Sequence, residues 1–183
     1  MKLAESEFTV LRQTIANRGT VRIVLFPVTM IGWAAGAGAL TLVGTSPIAS
    51  LFSLAVLVAG FEAIHALHVG VERIGRYLQV FHESEDDGPK WETTAIAVGP
   101  ALPGGGVDPL FTPIFTCAVI INLIPALIPS PTWIEMLVIG VFHSVVLIRL
   151  VRARWAATRQ RAVELESYQA LKSRLGAKAA PTP

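Results

Sequence analysis

Charged residues are scarce in this chain. Asp, Glu, Lys and Arg make up 15% of its 183 residues, whereas hydrophobic residues make up 52%. A soluble domain has about a quarter of its residues charged, so this composition argues against that class. The apolar residues are also clustered into long runs, which is typical of a membrane protein.

Cysteine is nearly absent, and several motifs of catalysis and cofactor binding are missing. Cys117 stands alone, which excludes an intrachain disulfide, and its place in an apolar run predicts a buried packing residue. No Cys-x-x-Cys-His motif is present for covalent haem. Gly104 to Gly106 are followed by no Lys-Ser or Lys-Thr pair, so a P-loop is absent. Neither a nucleophile elbow nor a zinc-protease helix motif occurs, which disfavours an enzyme.

Four apolar runs approach or reach the roughly 20 residues that a helix needs to cross a bilayer. They cover residues 23–43, 47–70, 110–128 and 132–149. Short turns at 44–46 and 129–131 join the first run to the second and the third to the fourth. The sequence therefore predicts an all-α integral membrane four-helix bundle made of two antiparallel transmembrane hairpins.

Three further segments lie outside these spans. Residues 1–22 predict an amphipathic N-terminal helix that ends near Gly19. Residues 82–109 are acidic at one end and rich in Gly and Pro at the other, which predicts a long loop. Residues 151–183 predict a basic helix followed by a tail. We therefore expect an interfacial segment at 1–22, a membrane bundle at 23–150 and a basic extension at 151–183.

The distribution of Lys and Arg predicts how the bundle is oriented. The turns at 44–46 and 129–131 contain neither residue type, whereas the N-terminal segment, the central loop and the C-terminal extension contain all 15. By the positive-inside rule, both termini and the central loop are cytoplasmic. We expect a multi-pass protein of the inner (plasma) membrane, with anionic lipid headgroups rather than nucleic acid as partners of the basic C-terminal segment.

Ionisable side chains collect on one face of the second predicted span. On a helical wheel they fall within about 140° of arc. They are Glu62, His65, His68, Glu72, Arg73 and Arg76. The polar stripe continues past the span and extends the predicted helix to about Phe81. A membrane helix with such a face turns it away from lipid, towards protein or a cavity. The capping box Thr132-x-x-Glu135 gives Glu135 a purely local role.

Several interpretations of this face stay open. One is a structural polar seam of ion pairs and hydrogen bonds formed by Glu62, Glu72, Arg73 and Arg76. Another is a cofactor site in which His143 and either His65 or His68 ligate haem b. A third is a single divalent metal held by Glu62, His65, His68 and His143. A proton or quinone path is a fourth, and a lipid hydrolase that uses His65 or His68 is the least favoured.

The position of His143 against the second span can be counted in two ways. Counting from the turn at Pro131 places His143 level with about residue 59, whereas matching Arg149 to Arg73 places it level with about residue 67. Both Glu62 and His65 lie between these two levels, so either side chain could meet His143. The function that the sequence favours is a non-catalytic subunit or assembly partner of a membrane complex, homo- or hetero-oligomeric. The alternative is a haem- or metal-binding redox protein, or a proton or quinone transporter.

Overall fold

A computed structural model describes residues 2–43, 46–83, 90–98 and 108–179. Within these ranges the chain forms helices and no strand, which confirms the all-α prediction. The α-helices are α1 (Lys2–Val43), α2 (Ser50–Phe81), α3 (Trp91–Val98), α4 (Thr112–Ile121), α5 (Ile124–Leu127) and α6 (Trp133–Ala179). A single 3₁₀ turn, Pro47–Ala49, leads into α2.

The predicted break between the N-terminal segment and the first span does not exist. Helix α1 is continuous from Lys2 to Val43 and passes through both Gly19 and Pro27. An interior Gly costs a helix only about 1 kcal/mol, which the long run of helix-forming residues on either side outweighs. The segment 1–22 is therefore the first part of a 42-residue helix, not a separate one.

The central connection contains a helix that the sequence pattern did not reveal. Helix α3 covers Trp91–Val98 within the predicted loop at 82–109. The acidic stretch at 84–89 and the glycine-rich stretch at 99–107 lie outside the described residues, as do Gly44, Thr45 and residues 180–183.

The predicted third span is not one helix. Helix α4 ends at Ile121, and the short α5 begins at Ile124. Pro125 has no amide hydrogen to donate to the Ile121 carbonyl, so the α-helical ladder cannot continue there. Asn122 occupies the resulting break with its side chain fully buried.

Helices α2 and α6 follow the sequence prediction closely. Helix α2 continues to Phe81, as its polar stripe indicated. The capping box at the start of α6 is confirmed, because Glu135 Oε2 accepts from the Thr132 amide at 2.8 Å and Thr132 Oγ1 accepts from the Glu135 amide at 3.4 Å. Helix α6 then runs for 47 residues through the predicted boundary at 150.

Among the described residues, three helices are long and apolar enough to cross a membrane. The qualifying segments are Glu5–Val43, Pro47–Phe81 and Trp133–Ala157. The region Thr112–Leu127 is apolar but shorter and interrupted. The two hairpins and the fourth crossing stay predictions.

The chain divides into two compact units. The apolar unit comprises Thr20–Leu67 and Asp108–Trp155, and the charged unit comprises Met1–Gly19, His68–Val107 and Ala156–Pro183. The buried core of the apolar unit includes Leu57, Ile64, Phe115, Val119 and Leu150. These side chains come from α2, α4 and α6, so α2 packs against both of the others in this unit.

In the apolar unit, α1 and α2 approach most closely at Gly60. A Cβ atom at this position would overlap the side chain of Thr29, which is buried. Gly32 and Gly36 also face α2, where a Cβ would lie 3.6 Å from Val56 and 3.8 Å from Ser53. Glycines on both helices thus set the distance between them.

Cys117 corrects another prediction. The sequence predicted a buried packing residue, but Cys117 is exposed. It lies on the outer face of α4 together with Ile114 and Ile121, which are also exposed. The three are spaced three and four residues apart, so they share one face of the helix, and the apolar run therefore indicated a membrane environment rather than a protein core.

Candidate functional site

The polar centre of the apolar unit is the side chain of Asn122. Its Oδ1 accepts from the Trp33 indole at 3.0 Å and from the Ser53 hydroxyl at 2.6 Å. Its Nδ2 donates to the Ser50 carbonyl at 3.1 Å and to His143 Nε2 at 3.2 Å. An indole only donates and a carbonyl only accepts, so these partners fix the orientation of the amide.

We call these five residues the Asn122 hub. It connects α1, α2, the break after α4, and α6. Both donors and both acceptor positions of the amide are used, which is the condition for burying a polar group at low cost. Asn122 follows the buried Ala118 and Val119 by four and three residues, so it continues the inward face of α4.

His143 is buried and both of its ring nitrogens have partners. Nδ1 lies 2.8 Å from the Ile139 carbonyl, which can only accept, so Nδ1 carries the proton. Nε2 faces the Asn122 amide donor and therefore presents its lone pair. The ring is neutral in this arrangement, and a metal or haem iron would have to displace Asn122 to reach Nε2.

The predicted polar face of α2 meets Arg149 in the apolar unit. Arg149 Nη2 donates to Glu62 Oε2 at 2.7 Å and lies 3.4 Å from His65 Nδ1. The guanidinium also lies 5.9 Å from the centre of the Phe61 ring. Glu62 and Arg149 keep 42% and 40% of their side-chain surfaces exposed, so the pair lies at the edge of the unit rather than in its core.

Arg76 is the centre of an ion-pair cluster in the charged unit. Its Nη1 donates to Glu164 Oε2 at 2.5 Å and its Nη2 donates to Glu72 Oε2 at 3.2 Å. Glu164 also accepts from Arg73 at 3.3 Å and from Gln160 at 2.7 Å. This cluster therefore contains three residues of the predicted polar seam, namely Glu72, Arg73 and Arg76. The fourth, Glu62, lies in the apolar unit.

Helix α3 is anchored in the charged unit by two carboxylates. Buried Glu83 accepts from the amides of Glu92 and Thr93 at 2.6 and 2.9 Å, and Arg12 donates to Glu92 at 2.9 Å. Gly75 makes room for Glu92, because a Cβ there would lie 3.1 Å from its Oε2.

Burial raises the pKa of the Glu92 carboxyl. Arg12 acts in the opposite direction, and the Glu83 and Glu72 charges raise this pKa further, while Arg161 lowers it. Desolvation is the largest cause, so Glu92 remains harder to ionise although Arg12 lies beside it.

The residues proposed as haem or metal ligands are not gathered into one described site. Glu62, His65 and His143 belong to the apolar unit, but His143 contacts Asn122 and Ile139 while Glu62 and His65 contact Arg149. His68 is buried in the charged unit. Among residues 2–43, 46–83, 90–98 and 108–179, no group of three or more His, Cys, Asp or Glu side chains is placed to hold a metal ion. The haem b and divalent-metal assignments stay predictions.

The sequence did not predict which side chains pair with the candidate residues. Arg149 was assigned to the membrane edge, yet it pairs with Glu62. Glu164 had no role, yet it is the main partner of Arg76. A polar Asn122 inside an apolar run was the available signal, since such residues usually hydrogen-bond between membrane helices.

Comparisons of the chain with protein-family models, with curated proteins and with solved structures found no match. No relative's activity therefore bears on these contacts, and their chemistry alone indicates a function.

Proposed function

We propose that this chain is a multi-pass inner-membrane protein that acts as a non-catalytic subunit or assembly partner of a membrane complex. The observation that carries the proposal is the Asn122 hub, in which Trp33, Ser53 and His143 are all committed to holding helices together. An active site needs a group left available for substrate. The buried His143 and Asn122 offer none, because both nitrogens of the imidazole and every hydrogen-bonding position of the amide already have partners.

Two tryptophans support a membrane crossing by α6. Trp133 and Trp155 are both exposed, and the residues between them include a stripe of exposed apolar side chains. At 1.5 Å per residue their separation along the helix is about 33 Å, close to the thickness of the hydrocarbon layer. Tryptophan favours the two interfaces of a bilayer, so we place the hydrocarbon between these residues.

The basic end of α6 supports a cytoplasmic C-terminus that touches anionic lipid headgroups. Arg154, Arg159 and Arg174 are exposed and lie within one residue of Trp155 or beyond it along the sequence. Cations near a membrane surface are attracted to the anionic lipids of the cytoplasmic leaflet, at about 1 kcal/mol for each residue.

Helix α1 supports the assignment to a complex. Only 6% of its most apolar stretch is buried against the rest of the chain, compared with 44% for α2. Val24, Val28 and Ile31 are among its exposed side chains. We propose that a second copy or another subunit covers part of this helix within the bilayer.

Native mass spectrometry tests the subunit role. The tagged chain, extracted from its source membrane in mild detergent, should appear at a defined mass above the 19.6 kDa monomer, either as an oligomer or with one partner in fixed ratio. A homogeneous monomer in native lipid contradicts the proposal. A Soret absorption band that disappears in His143→Ala would instead support the haem alternative.

Cysteine labelling tests the orientation. In a Cys117→Ser background, Ser46→Cys should react with an impermeant maleimide from the outer side of the membrane, and Ser173→Cys only after the membrane is opened. Labelling of both positions from one side contradicts the proposed topology.

A further inference from the structure

A small apolar chamber lies between α2, α4 and α6 in the apolar unit. Its volume is about 100 Å³. Its inner wall consists of Leu57, Phe61, Phe115, Val119 and Leu150, all of them buried. A dry apolar cavity of about 150 Å³ in another protein binds benzene. The present chamber has about two-thirds of that volume and the same kind of lining, so we take one six-membered ring as the largest group that it can hold.

The lining of the chamber includes Val145 on α6, which is exposed, and we take the opening to lie beside it. Along the helix, Val145 is about 15 Å from Trp155 and about 18 Å from Trp133. Given the membrane placement proposed for α6, the opening faces hydrocarbon near the middle of the bilayer. A ligand must therefore reach it dissolved in the lipid.

The chamber also has a polar edge, formed by Glu62 and Arg149. Their charged groups hydrogen-bond each other, but each side chain is about two-fifths exposed. Charged groups that face hydrocarbon are costly unless they find polar partners. Arg149 can donate a further hydrogen bond to a carbonyl or phenolic oxygen, and Glu62 can accept one from a hydroxyl.

We propose that this chamber binds the ring of a lipid-soluble phenol, quinol or quinone. The ring packs against Phe61 and Phe115, whose own centres are 5.3 Å apart at a steep angle, and an oxygen substituent meets the Glu62–Arg149 pair. The end of an acyl chain would fill the same volume, but it would leave the ion pair without a polar partner. The oxygen-substituted ring is the occupant that uses both halves of the site.

Fluorine NMR on the full chain in lipid nanodiscs tests the proposal with a matched pair of probes. 4-Fluorophenol and fluorobenzene have the same ring and differ in one hydroxyl. We expect a saturable shift of 4-fluorophenol that empty nanodiscs do not show. We also expect its binding to be about tenfold tighter than that of fluorobenzene, the gain from a hydrogen bond to a charged group.

Variants test the apolar wall and the polar edge of the chamber separately. Val119→Phe should fill the chamber and abolish binding of both probes, while Val141→Phe, an equal change at an exposed site on α6, should leave both unchanged. Should Val119→Phe fail to fold, Val146→Ile, which adds one methylene to the lining, should weaken both probes. Glu62→Gln should reduce the preference for 4-fluorophenol and spare fluorobenzene.

Equal affinity for the two probes would overturn the proposal and indicate that the chamber accepts only an apolar chain end. Absence of a saturable shift, or full binding by Val119→Phe, would overturn it as well. An incorrect membrane placement would appear separately, as labelling of Ser46→Cys from the wrong side of the membrane. An incorrect subunit role would appear as a monomeric mass.

Discussion

The apolar unit and the charged unit are stabilised by different kinds of polar contact. In the apolar unit the buried polar centre is neutral, and one amide, Asn122, connects four segments of the chain. In the charged unit the corresponding centre is an arginine, Arg76, between two carboxylates. Both centres are buried, at 0% and 5% exposure, so burial alone does not explain the difference.

The surroundings of the two centres explain why one is a neutral amide and the other a charged arginine. An amide with four partners leaves no charge in an apolar interior, whereas an ion pair there must repay a large desolvation cost. Around Arg76, one partner, Glu72, keeps 42% of its side-chain surface exposed, which lowers that cost. The Glu62–Arg149 pair is the exception in the apolar unit, and it too lies at an exposed edge.

The largest expected effect comes from removing the neutral centre. Asn122→Leu keeps the branched shape of the side chain but removes the acceptor of the Trp33 indole and the donor to His143 Nε2, while the Ser53 hydroxyl keeps the Ser50 carbonyl as an acceptor. We expect the free energy of unfolding to fall by about 2–3 kcal/mol. Four hydrogen bonds of roughly 0.6 kcal/mol each are lost, and buried polar groups are left without partners. Denaturant titration in mixed micelles, followed by Trp33 fluorescence, measures this. Ile121→Leu, at the exposed neighbouring position, is the control.

A smaller effect is expected from removing the charged centre. Arg76→Met should lower the free energy of unfolding by about 1–2 kcal/mol, since Glu164 retains Arg73 and Gln160 as partners. High salt should weaken the wild-type cluster and shrink this difference, because it screens exposed charges. The cost of Asn122→Leu should not depend on salt. Equal salt dependence of the two variants would contradict the distinction between the units.

The pH should affect the docking of α3 in the charged unit. Because the pKa of Glu92 is raised where α3 is docked, the docked state binds the proton more tightly than the released state. Docking of α3 should therefore strengthen as the pH falls through this pKa and weaken as it rises.

Anisotropy of Trp91 fluorescence between mildly acidic and neutral pH measures the docking of α3. Glu92→Gln should abolish the dependence, since an amide cannot ionise. A Glu83→Gln variant, which keeps Glu92, should retain it. Docking that strengthens as the pH rises would have the wrong sign and would refute this role of Glu92.

The smallest effect is expected at the start of α6. Glu135→Ala removes the confirmed capping box with Thr132, which lies at an exposed helix end. We expect the smallest loss of the series, because the cap lies at an exposed helix end. The same titration as for Asn122→Leu checks this order, and a loss as large as that of Asn122→Leu would show that local caps matter as much as the hub.

Local signals in the sequence were enough for much of the fold. Runs of apolar residues indicated the three long helices, the extension of α2 to Phe81 followed from its continuous polar stripe, and Thr132 and Glu135 marked the start of α6. Each of these features depends on residues within a few turns of one another. Two local predictions were wrong. The sequence placed a helix end near Gly19, where α1 is continuous, and a single span over residues 110–128, where α4 ends at Ile121.

The pairing of side chains on different helices was decided only by the tertiary structure. Counting from the turn at Pro131 places Arg149 level with residue 65, which agrees with its contacts to Glu62 and His65; matching it to Arg73 was wrong by two turns. The rotation and register of each helix depend on packing, such as Gly60 against Thr29. A change of one residue in register turns a helix by 100°, so no pattern within a single helix could assign His143 to Asn122 rather than to Glu62.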